Sequence, residues 1–281
     1  MACTLKTLAP PKIVAIATDK YLTPTHASVD PTISSAGGMP PKFGQDFTFG
    51  NGRKAPEGHS VGKTEAELKP KMEKLLKAFA SSDKSGMANR LFKQFLAKQG
   101  QVFYFDDGDL NRVAAAHNNI KYFCDAALSA PNLTNRSAGK TRIHQALKNA
   151  GWDIAKPRAP SDLGVPALNI GDKGGLFGSS GDFANGLGVM INGVQHVYVL
   201  ATGYCYESKP SQYSIKLKYI FYDVFGLDDD DLKEFGAKSD GLFSADAAIG
   251  ITAWWQLQHQ FSYAPLVTRI VIEKTYNAPA T

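Results

Sequence analysis

Thr252, Trp255, Gln256 and His259 follow the i, i+3, i+4, i+7 spacing that lines side chains along one side of a helix. An imidazole beside an amide and an indole can bind a polar ligand or move a proton. His259 and Gln256 are therefore candidate acid–base residues, and Trp255 is a candidate substrate contact. The competing reading is that this face packs against another part of the chain with its polar tips hydrogen-bonded. Two carboxylates join the set. Asp182 lies in the glycine-rich stretch 181–186, and Asp223 ends a long alternating run beside Tyr222. A carboxylate at a strand end is where scaffolds present catalytic groups, and also where turns use Asp for local hydrogen bonds. His196, in an expected strand, and Tyr222 complete the candidates as substrate contacts.

Other motifs point away from chemistry. Gly139-Lys140-Thr141 resembles the end of a phosphate-binding loop, but the earlier glycine of that loop would fall where Thr134 stands. Gly178-Ser-Ser-Gly181 lacks the spacing of a nucleophile elbow. In the acidic run Asp228–Asp231, the loop glycine of a calcium-binding hand is replaced by Lys233 and its closing glutamate is missing. A helix start explains the run better, with Asp228 as cap, the next carboxylates on the positive end of the dipole and Gly236 closing the helix. No cofactor or metal is identified by spacing.

The chain has 281 residues, 43% of them hydrophobic, which is enough for a proper core. A net charge of +5, not gathered into a Lys/Arg block, argues against nucleic-acid binding. No stretch approaches the roughly 18 to 20 apolar residues of a transmembrane helix, and no apolar run follows Lys6 to form a Sec-type signal peptide. Cys3, Cys124 and Cys205 form no CxxC pair, so free thiols in a reducing cytoplasm are expected.

The elements that must position these residues form an α+β layout, with a helical N-terminal half followed by an antiparallel sheet covered by a late amphipathic helix. Residues 1–62, rich in Pro and Gly, read as an extended arm with one short strand at Lys12–Ala17. A single domain over 63–281 follows, its helical part at 63–155 and its sheet part at 165–281. Thr64 with Glu67 matches a capping box, and Pro70 implies a kink or a later start. Leu75, Leu76 and Phe79 form a buried stripe, as do Leu91, Phe92, Phe95 and Leu96 in the next helix. A short strand is expected within Gln101–Asp107, then a helix capped by Asp109, then helices at Ile120–Leu128 and Lys140–Ala150. Asn192-Gly193 between apolar runs signals a hairpin of 188–191 with Val194–Ala201. Gln212–Asp223 alternates, with Tyr213, Ile215, Leu217, Tyr219 and Phe221 on one face. Ser244–Phe261 is the covering helix, burying Ala247, Ile251, Trp254, Leu257 and Phe261, and Leu266–Tyr276 is the last strand.

Four stretches carry a resemblance: Arg142–Asp153, Ser180–Gly193, Phe221–Asp231 and Gly250–Gln260. Together they resemble an uncharacterised bacterial family associated with type VI secretion loci and predicted antibacterial effectors, over residues 85 to 276. That resemblance implies a toxin made in the bacterial cytoplasm and delivered without a signal peptide. It also implies partners: a secretion-apparatus or adaptor protein loaded through the N-terminal arm, and a cognate immunity protein. It supplies no catalytic residues. The function expected is an antibacterial effector with a hydrolase-like site built from Asp182, Asp223, Gln256 and His259, acting on a cell-envelope substrate. The alternative is a non-catalytic secretion-associated adaptor or immunity-like binding protein. A pore-former is disfavoured, because the expected hairpin is too short to span a bilayer.

Overall fold

A computed structural model of the chain describes residues 3–18, 22, 25–26, 30–50, 52–98, 100–131, 133, 143–157, 161–162, 184–191, 193–237 and 245–281. Asp182, Asn192, Gly139-Lys140-Thr141 and Gly178-Ser-Ser-Gly181 lie outside these residues. The N-terminal portion contains β1 (Lys6–Thr18), β2 (Thr25–His26), α1 (Pro31–Ser35), β3 (Lys42–Phe43) and a 3-10 turn at Gln45–Phe47. Helices α2 (Glu65–Met72), α3 (Lys74–Phe79) and α4 (Met87–Leu96) follow, then β4 (Phe103–Asp106), α5 (Gly108–Ala116), α6 (Asn118–Leu128), α7 (Ile143–Asn149) and β5 (Ser161–Asp162). The C-terminal portion holds α8 (Leu187–Met190), β6 (His196–Ser208), β7 (Ser211–Phe225), α9 (Asp229–Phe235), α10 (Ala245–Gln260) and β8 (Leu266–Pro279).

Helices and a mixed sheet coexist, as an α+β protein requires. The order within the sheet is β4-β8-β7-β6-β1-β5, antiparallel in its centre and parallel at both edges. The expected layout of helices first and sheet second is corrected by β1, which pairs antiparallel with β6 from Lys6↔Tyr204 to Thr18↔His196. Pro10 and Pro11 made this stretch read as an arm, because proline has no N–H to give a ladder. The strand accommodates them with a register shift between Thr7 and Lys12 and then resumes.

Alternation along β7 places Tyr213, Ile215, Leu217, Tyr219 and Phe221, all buried, on the face covered by the helices. The opposite face carries Ile220, Tyr222 and Val224, with Tyr198 and Leu200 from β6. Ile33 of α1 and Phe43 of β3 cover it and are fully buried. Fully burying side chains of this size is worth about 1.5–3 kcal/mol each, so the stretch read as an arm is part of the packed fold. Asp30 caps α1 by accepting from Thr32 N at 2.8 Å, and it also accepts from the Tyr222 hydroxyl and from Arg269.

Two further expectations change. The expected first strand of the hairpin is a helix: residues 187–190 form α8, and β6 turns into β7 through Lys209-Pro210. The cysteines are not all free. Cys3 and Cys205 form a disulfide with Cα atoms 6.1 Å apart, tying the chain ahead of β1 to β6. Only the fold could bring these two together, since sequence spacing carries no information on a pair so far apart. Cys124 stays a thiol, and burial pushes its pKa up to about 12.

Local cap chemistry follows the sequence closely in α2 and α9. Thr64 accepts from Glu67 N, and the helix breaks at Glu73, shortly after Pro70. Asp228 and Asp231 form a reciprocal capping box at α9, which ends at Gly236. At α5 the cap is Asp107, two residues before Asp109.

Helix α10 is buried all round. Its expected apolar side meets the sheet through Trp254, which stacks on Phe225 at 4.1 Å, while α2 and α3 pack against its length. Gly250 allows that approach, because a Cβ there would come within 2.7 Å of Leu75.

Candidate functional site

The polar face of α10, which carries three of the sequence candidates, Trp255, Gln256 and His259, is covered by described residues between 46 and 62 and by the chain entering α9. Gln256 accepts from Val61 N at 2.8 Å and donates to Gly62 O at 3.0 Å. Gln258, which the spacing argument passed over, donates to Asp46 O at 2.8 Å and Thr48 O at 2.7 Å and accepts from Leu227 N at 3.0 Å. His259 Nε2 lies 2.7 Å from Leu227 O, so this nitrogen carries the proton and donates it. Burial lowers the pKa of His259, which keeps the imidazole neutral. Trp255, fully buried, donates from Nε1 to Asp229 at 3.2 Å, under the Arg53 guanidinium. These side chains sew the N-terminal portion onto the helix. The competing packing reading describes their geometry.

His196 and Tyr222 lie elsewhere, on the second face of the sheet. Thr18 Oγ1 is 2.8 Å from His196 Nδ1, and burial pushes the His196 pKa down to about 4. The Tyr222 hydroxyl donates to Asp30 at 2.6 Å, and Arg269 bridges Asp30 to Asp106. Tyr222 belongs to a polar network that also anchors α1, whereas His196 Nε2 is buried with no hydrogen-bond partner.

Asp223 lines a cavity. This cavity, of about 230 Å³, is bounded by Asp46, Gln195 and Asp231 on its polar side and by Leu75, Phe79, Ile251 and Trp254 among its apolar residues. Asp223 is buried at the end of β7, and its Oδ2 accepts from Gly193 N at 3.4 Å.

Asp46 is held at the same cavity by three devices. Gln195 donates to Asp46 Oδ2 at 2.5 Å while accepting from Gly44 N at 2.8 Å. Gln258 holds the Asp46 carbonyl from α10. Gly226, directly after β7, leaves room for that carbonyl, since a Cβ there would stand 2.2 Å from Asp46 O.

Burial raises the Asp46 pKa well above the carboxylate range, and the neighbouring charges of Asp223, Asp231 and Asp228 add to this against the Gln195 hydrogen bond. Its Oδ1 is shut off from solvent and has no hydrogen-bond partner. Asp231 is pushed up to about 7, first by burial and then by the charges of Asp228, Glu234 and Asp230, while the Asp228 N–H opposes the shift. The site thus holds a carboxyl group whose burial favours its protonated form, together with a second carboxyl group. A proton can be given from one and taken by the other.

Sequence reasoning missed Asp46 because its surroundings read as an unstructured arm, and it read Asp231 only as a helix-start residue. Gly226, three residues after Asp223, was the available signal for a close backbone approach. Among the described residues no cluster of His, Cys, Asp and Glu is arranged to hold a metal ion, and no helix is long and apolar enough to cross a membrane. In comparisons with known proteins, no family model, no curated sequence and no solved structure matches the chain.

Proposed function

We propose that this protein is an antibacterial effector that hydrolyses a cell-envelope substrate in the cavity between Asp46 and Asp223. The observation that carries the reading is the pairing of a buried, proton-retaining Asp46 with Asp223 across one cavity. In the hydrolytic step Asp223 takes a proton from water as the water oxygen bonds to the substrate carbon. Asp46 gives its proton to the leaving group as the old bond breaks. Apolar walls keep bulk water from competing for either proton.

The disulfide supports an envelope target. Cys3 and Cys205 are reduced where a bacterial protein is made and close in an oxidising compartment such as the periplasm. The resemblance of the four sequence stretches to a family associated with type VI secretion supports delivery by that machine, with a cognate immunity protein guarding the producer. In the alternative, an adaptor or immunity-like binder, the polar face of α10 would hold a partner, but this chain's own residues 46–62 occupy that face.

Expression in a susceptible bacterium, once in the cytoplasm and once exported to the periplasm, tests the reading. Growth inhibition is expected from the exported form, with loss of inhibition in Asp46→Asn and Asp223→Asn. Purified sacculi and other envelope polymers, incubated with the wild type and analysed by mass spectrometry, should release fragments. No growth defect in either compartment and no fragment released would refute it.

A further inference from the structure

The cavity's chemistry also specifies what it binds. Among the described residues, three carboxyl groups, Asp46, Asp223 and Asp231, line it, and no Lys, Arg or His does. An anionic ligand group would add a further like charge with no cation to meet it. A neutral hydroxyl could accept or donate hydrogen bonds but would leave the mutual repulsion of the carboxylates in place. A protonated amine removes that repulsion, and its three N–H donors match acceptors that number more than two.

The remaining wall is aliphatic and aromatic, formed by Leu75, Phe79, Phe235, Ile251 and Trp254. It suits methylenes better than a ring of hydroxyls, which would lose water there without replacement. Two buried polar atoms of cavity-lining residues, Asp46 Oδ1 and Trp254 Nε1, have no hydrogen-bond partner. The first accepts or donates and the second only donates, so the pair fits a ligand with an oxygen acceptor near its amine-bearing stem.

From these features we infer that the cavity recognises a primary ammonium on an aliphatic stem, the side chain of lysine or another diamino acid in a peptide. The inference rests on the hydrolase reading for its link to catalysis, and it makes the substrate a peptide-bearing envelope component in place of a bare glycan. The ammonium lies against Asp223 and Asp231, the methylenes lie along Leu75 and Phe79, and the adjoining amide supplies the oxygen acceptor.

Calorimetric titration of the full chain with Nα-acetyl-lysine amide and with Nα,Nε-diacetyl-lysine amide tests this, because the probes share a stem and differ in charge. The charged probe should bind at least tenfold tighter. Asp223→Asn and Asp231→Asn, each checked by thermal melt, should erase that preference. Raising the salt should weaken the charged probe alone, a check that needs no variant. Equal affinity, a preference for the acetylated probe, or failure of both to bind overturns the inference. Envelope digestion is scored separately. Asp46-dependent digestion with no charge preference overturns the ammonium inference and leaves the hydrolase reading intact, whereas charge-selective binding without digestion does the reverse.

Discussion

Replacing Asp231 by Asn should stabilise the protein at alkaline pH and leave it unchanged in acid. Asp231 sits at the start of α9, where its Oδ2 accepts from Asp228 N at 3.0 Å. An asparagine carbonyl can accept the same hydrogen bond, so the substitution removes charge and keeps the cap. The folded pKa of about 7 lies above the ordinary 3.8, so the folded state holds the proton more tightly than the unfolded state. The contribution of this group is present in full below the ordinary value and is lost as pH rises through about 7. About three pH units at about 1.36 kcal/mol each give about 4 kcal/mol. Partial exposure of the residue reduces this, and loss of a favourable charge at a helix N-terminus offsets about 0.3–1 kcal/mol. The expected net gain at pH 8 is therefore about 1–3 kcal/mol, with a difference near zero at pH 4. Urea denaturation of both proteins at the two pH values, with equal m-values, measures it. A variant less stable than the parent at pH 8 would show that the dipole outweighs desolvation, and the repulsion argued for this cavity would fail with it.

Other substitutions probe the packing around the site. Trp254→Ala removes the ring stacked on Phe225 and should cost about 3–5 kcal/mol by denaturant titration. His259→Ala should cost about 1 kcal/mol, at the low end for a lost buried hydrogen bond, because Leu227 O also accepts from Gln258. Envelope hydrolysis should persist in that variant, and its abolition in a folded protein would return His259 to the catalytic set. Arg269→Met strands the fully buried Asp30 and should destabilise by about 3–5 kcal/mol, scored by thermal and denaturant melts. Cys205→Ser should lower stability by about 2–4 kcal/mol under oxidising conditions and make no difference in excess reductant.

Local features of the fold were legible because they depend on a few neighbouring residues. The alternation of Gln212–Asp223, the capping pattern at Thr64 and Glu67, and the acidic start of α9 each declare an element through periodicity or one side-chain-to-backbone bond. Asp223 was legible for the same reason, as a carboxylate ending a clear strand. The N-terminal strand was only partly legible, because Pro10 and Pro11 break the pattern that the β1–β6 ladder tolerates through a register shift. The polar face of α10 was visible as a pattern, but its meaning was not: whether His259 and Gln256 meet substrate or backbone depends on what lies over the helix. Tertiary structure alone decided that Asp46, Thr48, Val61 and Gly62 lie there, that Cys3 meets Cys205, and that Asp46 and Asp223 line one cavity. The physical reason is that periodicity and capping act over a turn or two of chain. Burial, and with it the proton held on Asp46, is set by groups that only packing of distant segments brings together.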